Sequence, residues 1–164
     1  MRVRDLERLL TAQGVGAAKM DGITRKLRES GRLPKGGRGT NAPVIGPKEA
    51  AVILIAVAGS AKANEADVRL EKLESLRSSP GANAPTLLET VASLLDDRGV
   101  LDTVSEIRVA RTKRRATVHF HDGRVGEFLP ARPDIRVDRF YVEGILSAPL
   151  LKLVGEAIRG REPG

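Results

Sequence analysis

The chain contains no cysteine and no tryptophan, and only one tyrosine and three phenylalanines among 164 residues. Without cysteine, disulfides, thiolate metal sites and thiol redox chemistry are excluded, and the composition suits a reducing cytoplasm. With so few aromatic rings, platforms for stacking single-stranded bases are poorly supplied, which argues against a dedicated RNA binder. No apolar run approaches the ~20 residues that cross a bilayer. The longest, from Ala50 to Gly59, is about half that length. The N-terminal MRVRDLERLL mixes acids with bases and has no uncharged core, so a signal peptide is not expected. The expectation is a soluble, cytoplasmic protein with no membrane partner.

Several catalytic signatures are also missing. There is no Gly-Lys-Ser/Thr phosphate loop, no Gly-x-Ser-x-Gly elbow and no His-Glu-x-x-His run. The Gly-Gly-Arg-Gly of residues 36–39 lacks the preceding strand and the spacing of a dinucleotide fingerprint. His119 and His121 lie two apart on an expected strand, with Asp122 in the following turn. Two imidazoles and one turn carboxylate make a thin metal set, and exposed sheet histidines are the ordinary reading. Asp96, Asp97 and Asp102 sit by a helix end with no obvious partner. Neither an enzyme, nor a cofactor, nor a metal site is expected.

What the chain does have is charge, unevenly placed. The net charge is +7. Residues 1–48 carry eleven Lys and Arg against four Asp and Glu, which is +7; residues 49–104 carry five against nine, −4; residues 105–164 carry twelve against eight, +4. A basic segment joined to an acidic one suggests a polyanion-binding module attached to a part with another task.

Apolar periodicity locates the elements. Val3, Leu6, Leu9 and Leu10 predict a helix over residues 2–12, ended by Gly14 and Gly16. Ala17 to Met20 can form a short second helix before a turn at Asp21-Gly22. Ile23 and Leu27 then lie one turn apart on a third, over residues 22–30. Three short helices at this spacing make a helix-turn-helix plausible. The third would turn Thr24, Arg25, Lys26 and Arg28 outward, where a helix in the major groove needs donors for base edges and phosphates. Arg32, Lys35 and Arg38 follow in a loop whose glycines allow close backbone approach to phosphate. That loop is either a wing, with Val44-Ile45 returning as its second strand, or a flexible linker.

The segment ITRKLRESGRLPKGGRG resembles winged helix-turn-helix proteins, in which the recognition helix closes on a Leu-x-x-x-Gly-x-Leu turn, here Leu27, Gly31 and Leu33. More loosely, residues 2–60 resemble small DNA-binding proteins of prophages and mobile elements. The resemblance implies DNA binding and no particular target sequence.

Further along, Gly46-Pro47 opens a helix, AAVILIAVA, that is apolar on every side and must be buried in the core or in a subunit interface such as a homodimer contact. Asn64 is the expected N-cap of a fifth helix to about Ser78, with Val68, Leu73 and Leu76 as its apolar stripe. Residues 79–85 read as a linker between a DNA-binding domain, 1–78, and an α+β module, 86–164, for dimerisation or partner binding. Thr86 caps the next helix. Alternating residues 106–110 and 116–120, with an Asp122-Gly123 turn before 124–129, predict about three antiparallel strands. Lys113, Arg114 and Arg115 in the first hairpin loop form a second basic cluster that either meets phosphate or is a solvated turn. A last helix, 147–159 with Pro149 in its first turn, should pack over the sheet.

The fold class expected is therefore α+β, a mostly helical winged helix-turn-helix followed by a small antiparallel sheet packed with helices. The function expected is sequence-specific double-stranded DNA binding, as in a transcription regulator of prophage type. Recognition of a viral packaging site, as by a small terminase subunit, or an adaptor for RNA or an acidic protein such as a polymerase subunit, are the alternatives.

Overall fold

The helix without a polar face sets the architecture. In a computed structural model, which describes residues 1–35, 42–78, 83–131 and 142–160, α3 (Pro47–Gly59) is buried at every position from Ala50 to Gly59. An all-apolar helix is stable only when packed on all sides, and here α4 (Ala66–Glu74), α5 (Leu87–Asp96) and a four-stranded sheet surround it, with α2 (Ala17–Glu29) completing the shell. Of the two uses expected for it, core and subunit interface, it serves as core. Glu49 reaches back to accept from the Gly46 N–H at 3.0 Å, satisfying one orphan donor at its start.

The N-terminal unit differs from the three expected helices. α1 (Val3–Ala12) and α2 are joined by a turn at residues 13–16, where Gly14 takes φ +94°. Asp21 and Gly22 do not form a turn; both lie inside the continuous helix α2. A mid-helix glycine costs about 1 kcal/mol relative to alanine. It is tolerated here because a Cβ at position 22 would stand 2.7 Å from Cβ of Ala63, so only glycine admits the 3-10 turn Ala63–Glu65 at that distance. α2 closes at Gly31 (φ +76°), with the Arg32 and Leu33 N–H groups bonded back to Leu27 O at 2.8 and 3.1 Å and Leu33 buried. The Leu27, Gly31, Leu33 turn expected from the sequence is present, in a form general to helix ends.

Residues 36–41, most of the expected wing loop, lie outside the described residues. The segment expected to return as a second wing strand pairs instead with the start of the chain. Val44 bridges Arg2, and the Ile45 N–H donates to Met1 O at 2.7 Å.

Asn64 is not the cap of the fifth predicted helix; it sits within the 3-10 turn, and α4 begins only at Ala66 and ends at Glu74. The buried stripe is Ala66, Leu70, Leu73 and Leu76, while Val68 points outward. Residues 79–82 of the expected linker lie outside the described residues. On either side of it, Leu76, Leu87, Val91 and Leu95 belong to one buried cluster with Leu6, Ile23 and Leu54. Arg77 is bridged to both Thr86 and Leu129.

Thr86 caps α5 as expected, its Oγ1 accepting from the Glu89 N–H at 3.2 Å. A short α6 (Arg98–Leu101) follows, capped by the Asp97 carboxylate on the Gly99 and Val100 N–H groups. The antiparallel sheet has the order β3-β2-β1-β4 with β1 Val104–Ala110, β2 Ala116–Phe120, β3 Val125–Phe128 and β4 Glu143–Ser147. The Asp122-Gly123 hairpin turn is formed, Gly123 at φ +87°. β4, one strand beyond those expected, pairs with β1 from Glu106↔Ser147 to Ala110↔Glu143. Its Gly144 lies against the end of α3. α7 (Ala148–Arg159) covers α5 and the inner face of β1 and β4. The mixed α+β class is thus present. No helix among the described residues is long and apolar enough to cross a membrane.

Candidate nucleic-acid interface

The residues expected to face DNA fall into three groups once placed on α2. Thr24 is fully buried, its Oγ1 donating to the Glu7 carboxylate of α1 at 2.6 Å, with Met20 O also within reach. It locks α1 against α2 and presents nothing outward. Position 24 lies four residues after Met20 and three before Leu27, so the continuous α2 carries it on the buried stripe that faces α1.

Arg32 is held as firmly. Its guanidinium bonds both oxygens of Glu74 at 2.6 and 2.8 Å, Glu74 being 17% exposed, and lies 3.9 Å from Asp67. Both contacts come from Nη1, a charge-assisted bond shared between the two carboxylate oxygens, so Arg32 ties the end of α2 to α4. Arg28 pairs with Glu7 at 3.3 Å and Lys26 with Glu29 at 2.9 Å. The second pair is about half exposed, and such pairs contribute roughly 0–1 kcal/mol, so a phosphate can compete for Lys26. The Lys26 ammonium also holds the Glu29 carboxyl below its ordinary range.

Arg25 and Lys35 are exposed, and no ion pair engages either among the described residues. The same holds for Arg4 and Arg8, one turn apart on the outer side of α1, which sequence reasoning did not single out. Their signal was available: they fall opposite Val3, Leu6 and Leu10 in the helical repeat. The outer face of α2 is less basic than expected, because Arg25 stands between Asp21 and Glu29 at four-residue spacing, all three exposed. Arg38 lies outside the described residues.

Other cations have a structural task. α3 carries no basic residue in its last turn, and its final carbonyls are bonded by cations from three different elements. Lys19 of α2 donates to Ser60 O at 2.8 Å, Arg69 of α4 to Gly59 O at 3.3 Å, and Arg111, just past β1, to Ala58 O at 3.1 Å. Positive charge at a helix C-terminus satisfies orphan carbonyls and complements the helix dipole. Burial, and secondarily the neighbouring Arg111, hold the Lys19 ammonium below its usual range; burial does the same to Arg69. Arg159 of α7 likewise donates to Leu95 O at 2.7 Å at the end of α5.

No family model, no curated protein and no solved structure matches this chain. The reading of the site therefore stands on its geometry.

In the second basic cluster, Arg69 Nη2 donates to Ala110 O at 2.7 Å and to Lys113 O at 2.9 Å, so α4 pins the β1–β2 loop at its start and its middle. Arg115 pairs with Glu127 on β3. Arg114 has no ion pair among the described residues.

The remaining candidate groups do not converge. His119 lies on β2 with Nε2 3.0 Å from Thr117 Oγ1, whereas His121 has left the strand for the turn, so the two do not share a strand face. No group of three metal-ligating side chains occurs among the described residues. Asp97 is the α6 cap, and Asp102 pairs with Lys152 at 2.7 Å, so both acids acquire partners that the sequence did not reveal. An open hollow of about 250 Å³ between α1 and the end of α7 is lined by Met1, Asp5, Leu9, Ala157 and Gly160, with Asp5 its one ionisable side chain.

Proposed function

We propose that the protein binds double-stranded DNA through the outer side of α1 and α2, chiefly by contacts to phosphate. One observation carries this reading: Arg4, Arg8, Arg25 and Lys35 are exposed and, among the described residues, not ion-paired, whereas Lys19, Arg32, Arg69, Arg111 and Arg159 are engaged inside the fold. Lys26 stands beside them in a pair weak enough to exchange for a phosphate, while Arg28 is held by Glu7. Base reading rests on fewer groups. With Thr24 buried and Arg25 flanked by acids, it falls to Arg25 and to Arg38 in the glycine loop. A regulator of transcription built this way discriminates sequences modestly and holds DNA mainly through charge.

The test is the salt dependence of binding to a duplex of about 20 base pairs, followed by fluorescence anisotropy between about 50 and 200 mM salt. Removing one cation that neutralises a phosphate should lower the slope of log K against log salt by about 0.9. Replacing Arg4 and Arg8 together with Ala should therefore lower it by about 1.8, and Arg25→Ala by about 0.9. An affinity unchanged by substitution at all three positions would remove this surface as the binding site.

A further inference from the structure

The two basic clusters lie more than seventy positions apart in the chain, yet one structural knot joins them. The carbonyls of Ala58, Gly59 and Ser60 receive Arg111, Arg69 and Lys19 respectively. Three consecutive carbonyls at a helix end lie within one turn of about 5.4 Å. The first turn of α2 and the base of the β1–β2 loop are thus brought together at the same end of α3, close enough for the Arg111 charge to act on the Lys19 ammonium. Arg69 continues the connection by bonding Ala110 O and Lys113 O across the loop. Lys62 occupies the same corner. It is exposed, two residues past Ser60, and adjoins Ala63, whose side chain abuts α2 at Gly22.

We infer that the β1–β2 loop, with Lys62 and Arg114, is a second arm of the surface that α1 and α2 present to DNA, so that one duplex is held at both places. This rests on the DNA-binding reading above. Within the arm Arg115 is held by Glu127 and Arg111 by Ala58 O, whereas among the described residues neither Lys62 nor Arg114 is ion-paired. Its backbone is fixed before any ligand arrives, because Arg69 holds the loop carbonyls, so little ordering entropy opposes DNA binding. Arg69 is a positioning residue here; its donors are engaged by carbonyls and it acts on DNA through the loop.

The experiment compares two double variants with equal loss of charge on the same 20-base-pair duplex. In the first, Lys62→Ala is combined with Arg114→Ala. In the second, Arg98→Ala is combined with Arg124→Ala; β1 runs away from that end, where the His121 N–H meets Thr103 O, so both arginines lie at the opposite end of the sheet from the loop. The first pair should lower the slope of log K against log salt by about 1.8, and the second should leave it near the wild-type value. Equal slopes for the two pairs would overturn the inference while leaving the α1–α2 surface intact. A drop for the first pair combined with no effect of substitution at Arg4, Arg8 and Arg25 would place the DNA contact at the loop alone, defeating the α1–α2 reading and with it the joint hold. Absence of duplex binding by the wild-type protein would defeat both. Thermal unfolding of each variant separates weakened DNA binding from damage to the fold.

Discussion

Replacing Arg69 with Met removes a cation while keeping most of its unbranched stem, and so isolates what the guanidinium does. Three carbonyls are deprived of a donor: Gly59 O at 3.3 Å, Ala110 O at 2.7 Å and Lys113 O at 2.9 Å. A hydrogen bond to a charged group contributes about 1.5–3 kcal/mol net. The guanidinium is only part-buried, and water can replace some of those bonds, so the expected total is about 2–4 kcal/mol rather than the full sum. For a chain of this size each kcal/mol moves Tm by about 2–4 °C, which gives a fall of roughly 5–15 °C. Urea unfolding of Arg69→Met should show the loss in the midpoint at unchanged slope, since the surface exposed on unfolding is the same. Arg69→Lys should recover part of it, keeping the charge but not the fork that reaches two elements at once. A loss under about 0.5 kcal/mol for the Met variant would refute the view that cations from outside α3 stabilise its C-terminus.

Other substitutions probe different joints of the fold. A Cβ at Gly144 would fall 2.7 Å from both Cα and the carbonyl carbon of Ala58, and closer still to its oxygen. Because that neighbour is backbone and cannot rotate away, Gly144→Ala should cost at or above the upper end of the ~1–3 kcal/mol typical of overpacking; an unchanged Tm would disprove the close approach of β4 to α3. Thr86→Ala should destabilise by about 1 kcal/mol through loss of the α5 cap, measured by urea unfolding at neutral pH, and a neutral effect would show the cap to be replaceable by water. The hydrogen bond from Lys152 holds the Asp102 carboxyl below its ordinary range. A carboxyl depressed in the folded state stabilises above its unfolded value and loses that contribution as pH falls through its folded value. The difference in Tm between wild type and Asp102→Asn should therefore be present at about pH 7 and shrink by about pH 3; an equal difference at both would contradict the pairing.

The sequence by itself determined the elements whose pattern is local. The all-apolar run of residues 50–58 had to be buried, Thr86 had to start a helix, and Asp122-Gly123 had to turn a hairpin, because propensity, capping and φ requirements act over a few residues. The charge imbalance of residues 1–48 was equally plain, as were the outward positions of Arg4 and Arg8. Tertiary structure decided which charges are free. Thr24 and Arg28 looked alike as outward polar groups until Glu7 of α1 met them, and Arg32 looked like a loop cation until Glu74 arrived from forty-two positions away. Gly22 read as a breaker because its reason for being glycine, the Ala63 side chain, lies on another element. β4 likewise needs α3: its Gly144 makes sense only against the Ala58 backbone. Helix ends and ion pairs are satisfied by partners distant in the chain, so a basic residue's role depends on which carbonyl or carboxylate the fold brings to it.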